Sequence, residues 1–123
     1  MGRVRQKNTE PELVVRKFLT GKGYRYRLHR RDLPGSPDIV FVSRRKVIFV
    51  HGCFWHRHVG CRSKTTPTTR KKFWENKFSA NIERDARNIH ELKEMGWAVF
   101  VIWGCETKDM AALESSLLRF LQH

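Results

Sequence analysis

The chain is poor in cysteine and acidic residues, and it has no long apolar run. Three Cys in 123 residues is an odd count that argues against a disulfide framework and favours metal binding or buried thiols. No apolar run approaches the ~20 residues that a membrane-spanning helix needs. The charged N-terminal decapeptide is followed by no hydrophobic segment, so it does not predict a secretory signal. We therefore expect one cytoplasmic domain over residues 1–123, with no membrane association.

Basic residues outnumber acidic ones by 25 to 12, which gives a formal net charge of +13. Nucleic acid is the partner that this charge favours, since each neutralised phosphate releases counterions. Aromatic residues are interleaved with the charge, which favours nucleic acid over a merely solvated basic surface. Residues 1–8 are polar and basic, and we expect a flexible arm that enters a DNA groove. An untidy terminus is the alternative for this segment.

The apolar pattern predicts an α/β fold with a mixed sheet. Continuous or alternating apolar residues predict strands over 24–30, 39–42, 46–50 and 98–103. The second and third of these strands are joined by a short turn and should form a hairpin. The strand at 98–103 is apolar throughout, so we expect it to be central in the sheet.

Helical periodicity predicts the remaining elements. The predicted helices begin at Thr9 and end near Gly21, run over 70–95 with a break near 79–81, and run over 109–121. The first helix should bury an apolar stripe of Leu13, Val14, Phe18 and Leu19. In that helix Glu12 completes a T-x-x-E capping box, which gives it a purely structural interpretation beside a functional one.

Thiols and imidazoles follow the buried strand at 46–50. The segment Cys53-x4-His58-x2-Cys61, together with the distant Cys105, offers the sulfur and nitrogen ligands that tetrahedral zinc prefers. All three Cys are expected at the exits of neighbouring strands, so we predict a structural zinc site. His56 could replace His58, because spacing alone does not decide between them. The alternative is buried cysteines and a surface histidine.

Three further residues together predict phosphodiester cleavage. Asp38 heads a predicted strand, and its carboxylate is a hard oxygen ligand suited to Mg²⁺. His56 is placed to act as a general base, and Asp85 on a predicted helix could orient its imidazole. Separately they would be a turn acid, an exposed histidine and a surface charge. Metal-assisted hydrolysis needs a metal, a base and a positioned bond, and the three residues together supply the first two.

Several strings of this sequence closely resemble the very-short-patch-repair (Vsr) mismatch endonucleases. The matching strings are Lys7–Glu12, Leu33–Asp38, Val47–His56, Phe73–Trp74, Asn81–Asp85 and Gly96–Cys105. The resemblance implies a restriction-endonuclease-like fold related to the PD-(D/E)xK nucleases. The usual acidic-x-Lys half of that motif is absent here, because the strand ends in Val50-His51, a departure typical of the Vsr group.

The resemblance also implies roles for individual residues. Asp38 would bind Mg²⁺ by its carboxylate, with help from the backbone carbonyl of Val50. His56 would activate water, and Asp85 would orient His56. His51 and Glu12 would be secondary members of the site.

The same resemblance assigns the zinc and the aromatic residues. Zinc would be held by Cys53, His58, Cys61 and Cys105. Arg57 interrupts the usual His-rich run and Val59-Gly60 adds a residue before Cys61, which makes Cys61 the less typical ligand. The rings that would intercalate between base pairs are Phe54, Trp55 and Trp74, whereas Trp97 and Trp103 are expected in the core.

The implied activity is a strand-specific nick 5′ of the thymine in a T:G mispair, the product of 5-methylcytosine deamination. Mismatched duplex DNA would be the substrate, a mismatch-repair protein a further partner, and the enzyme a monomer associated with a prokaryotic nucleoid. Three alternatives stay open: a broader nuclease of the same fold, a non-catalytic zinc-containing DNA-binding module, and a basic RNA-associated protein.

Overall fold

A computed structural model describes residues 10–51 and 70–122 of the chain. The elements, in chain order, are α1 (Glu10–Gly21), β1 (Arg27–Leu28), β2 (Ile39–Phe41), β3 (Lys46–His51), α2 (Lys71–Glu94), β4 (Ala98–Trp103), a 3-10 helix (Gly104–Lys108) and α3 (Met110–Gln122). The arm predicted at 1–8 and the segment 52–69 lie outside the described residues. No helix among those described is long and apolar enough to cross a membrane.

The four described strands form one mixed sheet in the order β1-β2-β3-β4. β1 pairs antiparallel with β2, and β2 pairs antiparallel with β3 through the predicted hairpin. β4 lies parallel to β3, with His51 opposite Trp103 at the end of the ladder. Parallel neighbours need a crossover connection, and α2 lies on this one. The predicted hairpin and mixed α/β class are confirmed.

Two apolar layers cover the two faces of the sheet. On one face, strand residues such as Ile48 and Ile102 pack against the buried residues of α1 and α3. On the other face, their chain neighbours Val47 and Val101 pack with Leu92 of α2 and with Trp97. Successive strand residues point to opposite faces, so strands covered on both faces are apolar at every position.

The expectation that β4 is a central strand was wrong. Among the described residues β4 pairs only with β3 and forms an edge of the sheet. Its sequence is apolar throughout because helices cover both faces of the sheet. Such a pattern does not show whether a strand has one or two neighbouring strands. Trp97, which precedes β4, is buried as predicted, and Trp103 at its end is half-buried.

The predicted break in the second helix was also wrong, because α2 is one helix of 24 residues. The prediction rested on the five-residue step between Phe73 and Phe78, with residues 79–81 nearby. Phe73 is exposed and does not belong to the inward face, so this step does not interrupt the helix. The inward face of α2 instead passes from buried Phe78 to buried Asn81 and half-buried Asp85. These positions are three and four residues apart, as one helical face requires, but the face becomes polar halfway along.

The apolar stripe predicted for α1 was partly wrong. Leu13 is 47% exposed, Val14 and Phe18 are half-buried, and Leu19 is buried. The inward face of α1 consists of Glu12, Val15 and Leu19. A buried carboxylate occupies one position of this stripe, so apolar periodicity alone placed the stripe one step away from the true face.

The strand predicted over 24–30 is only two residues long. His29 has a φ of 47°, which is left-handed and ends the extended conformation directly after Leu28. Tyr24 and Tyr26 precede the strand and pack edge-on against Phe41, with ring centroids 6.1 Å apart in both pairs.

Cations at the hairpin turn hold the end of α3. Arg44 donates from Nη1 to the Leu121 carbonyl at 3.1 Å, and the Lys46 ammonium group donates to the Phe120 carbonyl. Carbonyls in the last turn of a helix lack intrahelical partners, so both bonds satisfy acceptors that the helix leaves open.

Candidate active site

The β2–β3 hairpin places Asp38 beside Val50. Asp38 directly precedes β2, and its Oδ2 accepts a hydrogen bond from the Val50 backbone N–H at 2.7 Å. The residue is 9% exposed. A backbone donor on a strand holds this carboxylate in place, because the register of the hairpin fixes where the donor lies.

Asp38 opens into a cavity of about 500 Å³ between the sheet and α2. The cavity is lined by His29, Gly35, Ser36, Asp38, Phe49, Val50, His51, Arg84, Asp85, Arg87 and Asn88. The polar half of the inward face of α2 therefore lies opposite the carboxyl end of β3. A cleft that collects carboxylates, imidazoles and guanidinium groups is a candidate for charged-substrate chemistry.

Glu12, His29 and Asp38 form a compact group next to this cavity. Each offers one ligand atom, and these atoms all lie within 4.8 Å of one another. His29 Nε2 is 2.8 Å from Glu12 Oε2, and Arg16 Nη1 is 3.4 Å from the same oxygen. Two carboxylates and an imidazole in this arrangement are able to hold a divalent cation.

His51 is positioned by its aromatic neighbours. The residue is buried at the end of β3, with its ring 5.3 Å from Trp103 in an edge-on arrangement and 5.4 Å from Phe49. Trp103 stands opposite it in the parallel ladder. The imidazole is thus packed against the sheet and lines the cavity.

Two arginines of α2 give the cavity a positive wall. Arg84 and Arg87 both line it, and Arg84 Nη2 donates to Asn81 Oδ1 at 2.9 Å. A guanidinium group presents donors in a fork that matches the oxygens of a phosphate. Carboxylates on the sheet side and guanidinium groups on the helix side suit a metal-bound phosphodiester.

The loop between β1 and β2 contacts α2 at Gly35 and forms another wall. A Cβ built on Gly35 would lie 3.0 Å from both Asn88 Cβ and Asn88 Nδ2. Gly35 also has a φ of +76°, a conformation that residues with side chains rarely adopt. Glycine is therefore required here both by the backbone conformation and by the close approach of the helix.

The structure brings several predicted site residues together. Asp38, Val50, His51 and Asp85 line one cavity, and Glu12 contacts its His29. Six other predicted residues of the catalytic, intercalating and zinc sets lie outside the described residues: His56, Phe54, Trp55, Cys53, His58 and Cys61.

Two predicted residues lie elsewhere on the described chain. Trp74 is half-buried near the start of α2, where its ring stacks on Phe78 at 5.8 Å and meets Phe73 edge-on at 5.3 Å. Cys105 is in the 3-10 helix directly after β4, two residues beyond Trp103.

The sequence interpretation missed His29, Arg84, Arg87 and Asn88 as site residues. His29 was assigned to an alternating strand, and the arginines blended with the general positive charge. One signal was available for α2, since Asn81, Asp85 and Asn88 recur at steps of four and three. Polar residues at the spacing of a buried helical face indicate that the face lines a site.

Comparisons with known proteins identify the family of the chain. The sequence model of the family described as DNA mismatch endonuclease Vsr matches residues 1–62. The chain is similar to the type II nicking enzyme V.XorIIP of Xanthomonas oryzae pv. oryzae, with 54% identity over 98% of this chain and 88% of that protein. It is also similar to the DNA mismatch endonuclease Vsr of Escherichia coli, with 40% identity over 96% of this chain and 75% of that one.

A solved structure shows the same fold. The catalytic domain of the homing endonuclease I-Bth0305I superposes with a TM-score of 0.61 and 20% sequence identity, covering 92% of this chain and 94% of that domain. The fold is thus shared with a nuclease domain, while the match of the family model and the identity to the curated relatives carry the assignment. This chain belongs to the Vsr family of DNA mismatch endonucleases.

Proposed function

We propose that this protein nicks duplex DNA on the 5′ side of the thymine in a T:G mispair, on a restriction-endonuclease-like fold. The observation that carries the proposal is that Asp38 and Asp85 line the same cavity as the guanidinium groups of Arg84 and Arg87. Family membership supports the mismatched duplex as substrate. The net charge of +13 supports binding to the DNA backbone.

Asp38 and the backbone carbonyl of Val50 would hold the catalytic Mg²⁺. The donor set fits such an ion, because carboxylate and carbonyl oxygens are the hard ligands that Mg²⁺ prefers. The nearby Glu12 carboxylate and the compactness of the Glu12–His29–Asp38 group support the same assignment. Magnesium bound there would neutralise charge on the scissile phosphate.

The side chains around the ion would perform the proton transfer and the positioning. His56 would take the proton of the attacking water, and Asp85 would hold its imidazole in the productive orientation. Arg84 and Arg87 would bind phosphate oxygens of the strand that is cut. His51 would complete the wall beside Val50.

Aromatic rings would select the mispair. Phe54, Trp55 and Trp74 would insert between base pairs, and an already weakened mismatched step opens at a lower cost than a matched one. Trp74 belongs to an aromatic cluster with Phe73 and Phe78 at the start of α2, and Phe73 is exposed there. An exposed aromatic group at this end of the helix supports a contact with bases.

A structural zinc would be held by Cys53, His58, Cys61 and Cys105. Cys105 lies two residues beyond Trp103, and Trp103 stands opposite His51 at the end of the parallel β3–β4 ladder. Cys105 thus follows the end of β4 that pairs with the end of β3, and the other three ligands follow β3 in sequence, which supports this assignment. About one zinc per chain in purified protein, and less in Cys105→Ser, is the expected result of metal analysis.

Cleavage of paired substrates tests the proposed activity. Wild-type protein with Mg²⁺ is incubated with a labelled T:G duplex and with a T:A duplex of the same sequence, while anisotropy follows DNA binding. Asp38→Asn should abolish nicking but still bind DNA, whereas Asp32→Asn, an exposed aspartate on the same loop, should nick normally. His56→Ala should lower the rate by roughly 10²–10⁴-fold, as loss of a general base does.

A second pair of variants tests the α2 side of the site. Asp85→Asn should slow nicking, and Glu91→Gln, an exposed acid on the same helix, should not. Equal cutting of the T:A duplex would favour the broader nuclease. Binding without cutting by wild-type protein would overturn the enzymatic proposal and favour a DNA-binding module.

A further inference from the structure

His29 has an unusual backbone that is tied to Asp38. Its φ of 47° lies in the left-handed region, which is uncommon for any residue other than glycine. Its backbone N–H donates to the Asp38 carbonyl at 3.1 Å. This turn and its hydrogen bond set the point from which the side chain of His29 extends.

The His29 ring contacts a buried acid. His29 Nε2 lies 2.8 Å from Glu12 Oε2, and the Glu12 side chain is 1% exposed. The ring also lines the cavity that contains Asp38. His29 therefore bridges α1, which carries Glu12, and the connection that leads to Asp38.

The chemistry of the donor set decides how this ring acts. Mg²⁺ selects oxygen ligands, whereas imidazole suits zinc, copper, nickel and iron. An imidazole next to a magnesium site therefore acts on an oxygen ligand or on a water, as outer-shell groups do. His29 already has such an oxygen at hydrogen-bond distance, that of Glu12.

We propose that His29 is a positioning residue that holds the Glu12 carboxylate against Asp38 and thereby shapes the divalent-cation site. With its proton on Nε2, the ring donates to Glu12 Oε2, the oxygen that Arg16 also approaches at 3.4 Å. These two donors lie in separate parts of the chain and together fix the position of this oxygen. This inference rests on the proposed function, because that function places the cation at Asp38.

Three substitutions at one position separate the role of the ring from its bulk. Glutamine places an amide nitrogen near the position of Nε2, asparagine places one near Nδ1, and alanine has neither. His29→Ala and His29→Asn should weaken Mg²⁺ binding to the protein, measured by calorimetry, by roughly tenfold or more. His29→Gln should recover most of that affinity. Equal affinity in all four proteins would overturn the proposal.

Manganese provides a spectroscopic test of the same claim. If His29 acts through Glu12, the nitrogen couplings in the electron spin echo spectrum of bound Mn²⁺ should be the same in wild type and His29→Gln. A nitrogen coupling that disappears in His29→Gln would identify His29 as a direct ligand and overturn the positioning role. Urea unfolding of each variant shows whether it is folded before its metal affinity is compared.

Failure of this inference is distinguishable from failure of the proposed function. If wild type nicks the T:G duplex with Mg²⁺ but His29→Ala binds Mg²⁺ normally, only the role of His29 is refuted. If wild type binds Mg²⁺ but cuts no DNA, the proposed function fails, and the glutamine rescue of affinity still decides the role of His29.

Discussion

The contact between the β1–β2 loop and α2 at Gly35 leaves no room for an added methyl group. In Gly35→Ala the new Cβ would lie 3.0 Å from Asn88 Cβ, and a Cβ is fixed to the helix backbone. Asn88 cannot turn this atom away by changing rotamer. Either the loop or the helix must therefore move by a few tenths of an ångström, and the cavity between them changes shape.

The expected cost has two separable parts. Alanine in the left-handed region costs about 1–2 kcal/mol, and overpacking against Asn88 adds about 1–3 kcal/mol. Gly23→Ala is the matched control, because Gly23 has a φ of +84° but no atom within 4 Å of its built Cβ. The difference between the two variants isolates the steric part.

Urea unfolding and nicking measure the two consequences. At a slope of ~1–3 kcal/mol per molar urea, the extra cost should separate the two midpoints by about 1 M. Gly35→Ala should also nick the T:G duplex roughly tenfold more slowly, since small displacements of positioning groups reduce rates steeply. Gly23→Ala should lose stability without losing rate.

Two results would refute this reasoning. Equal midpoints for Gly35→Ala and Gly23→Ala would show that the loop does not press on α2. A normal nicking rate in Gly35→Ala, with a lowered midpoint, would show that this wall does not shape the site. Adding Asn88→Ala to Gly35→Ala should recover part of the stability, because it removes two of the three nearest atoms.

Three further predictions concern stability and binding. Leu19→Ala should lower the free energy of unfolding, measured in urea, by about 2–5 kcal/mol. Leu13→Ala, at a residue 47% exposed on the same helix, should change it by no more than about 0.5 kcal/mol. Equal losses would contradict the assigned inward face of α1. Burial, and then the charge of Arg44, lower the pKa of Lys46 below 10.5. The folded state thus binds fewer protons there than the unfolded chain, so Lys46 makes the free energy of unfolding rise with pH between its lowered pKa and 10.5, and Lys46→Met should flatten that part of the curve in chemical unfolding. The logarithm of the DNA association constant, measured by anisotropy, should fall linearly with the logarithm of the salt concentration, with a slope of about −0.9 for each phosphate contacted. A slope near zero would contradict electrostatic binding.

The parts of the fold that depend on local pattern were predictable from sequence. The hairpin followed from two apolar strands around a short turn, and α3 followed from leucines four residues apart, of which Leu113, Leu117 and Leu121 are all buried. Asp38 was predictable as a candidate residue because it heads a strand after a proline, and it lines the cavity. These features need only the periodicity of side chains along one element.

The other parts depend on contacts between elements. Glu12 and Asn81 are buried polar residues. Glu12 contacts His29 in another part of the chain, and Asn81 accepts a hydrogen bond from Arg84 of the cavity wall. Apolar periodicity assigns such faces wrongly. For this reason the predicted apolar stripe of α1 lay one position away from the observed inward face, and a break was predicted in α2. The proposed role of His29 depends on a left-handed turn and on a partner 17 residues away, neither of which leaves a local signal.

The continuity of α2 has a consequence for how recognition and cutting would be kept together. Trp74 and Asp85 lie on one uninterrupted helix, about 16 Å apart along its axis at a rise of ~1.5 Å per residue. The distance between the ring proposed to intercalate, Trp74, and the residue proposed to act in cleavage, Asp85, is therefore set by the backbone hydrogen bonds of one helix. A mispair bound at Trp74 would bring only one stretch of the sugar-phosphate backbone within reach of Asp85. The length of the helix would therefore determine how far from the mispair the strand is cut.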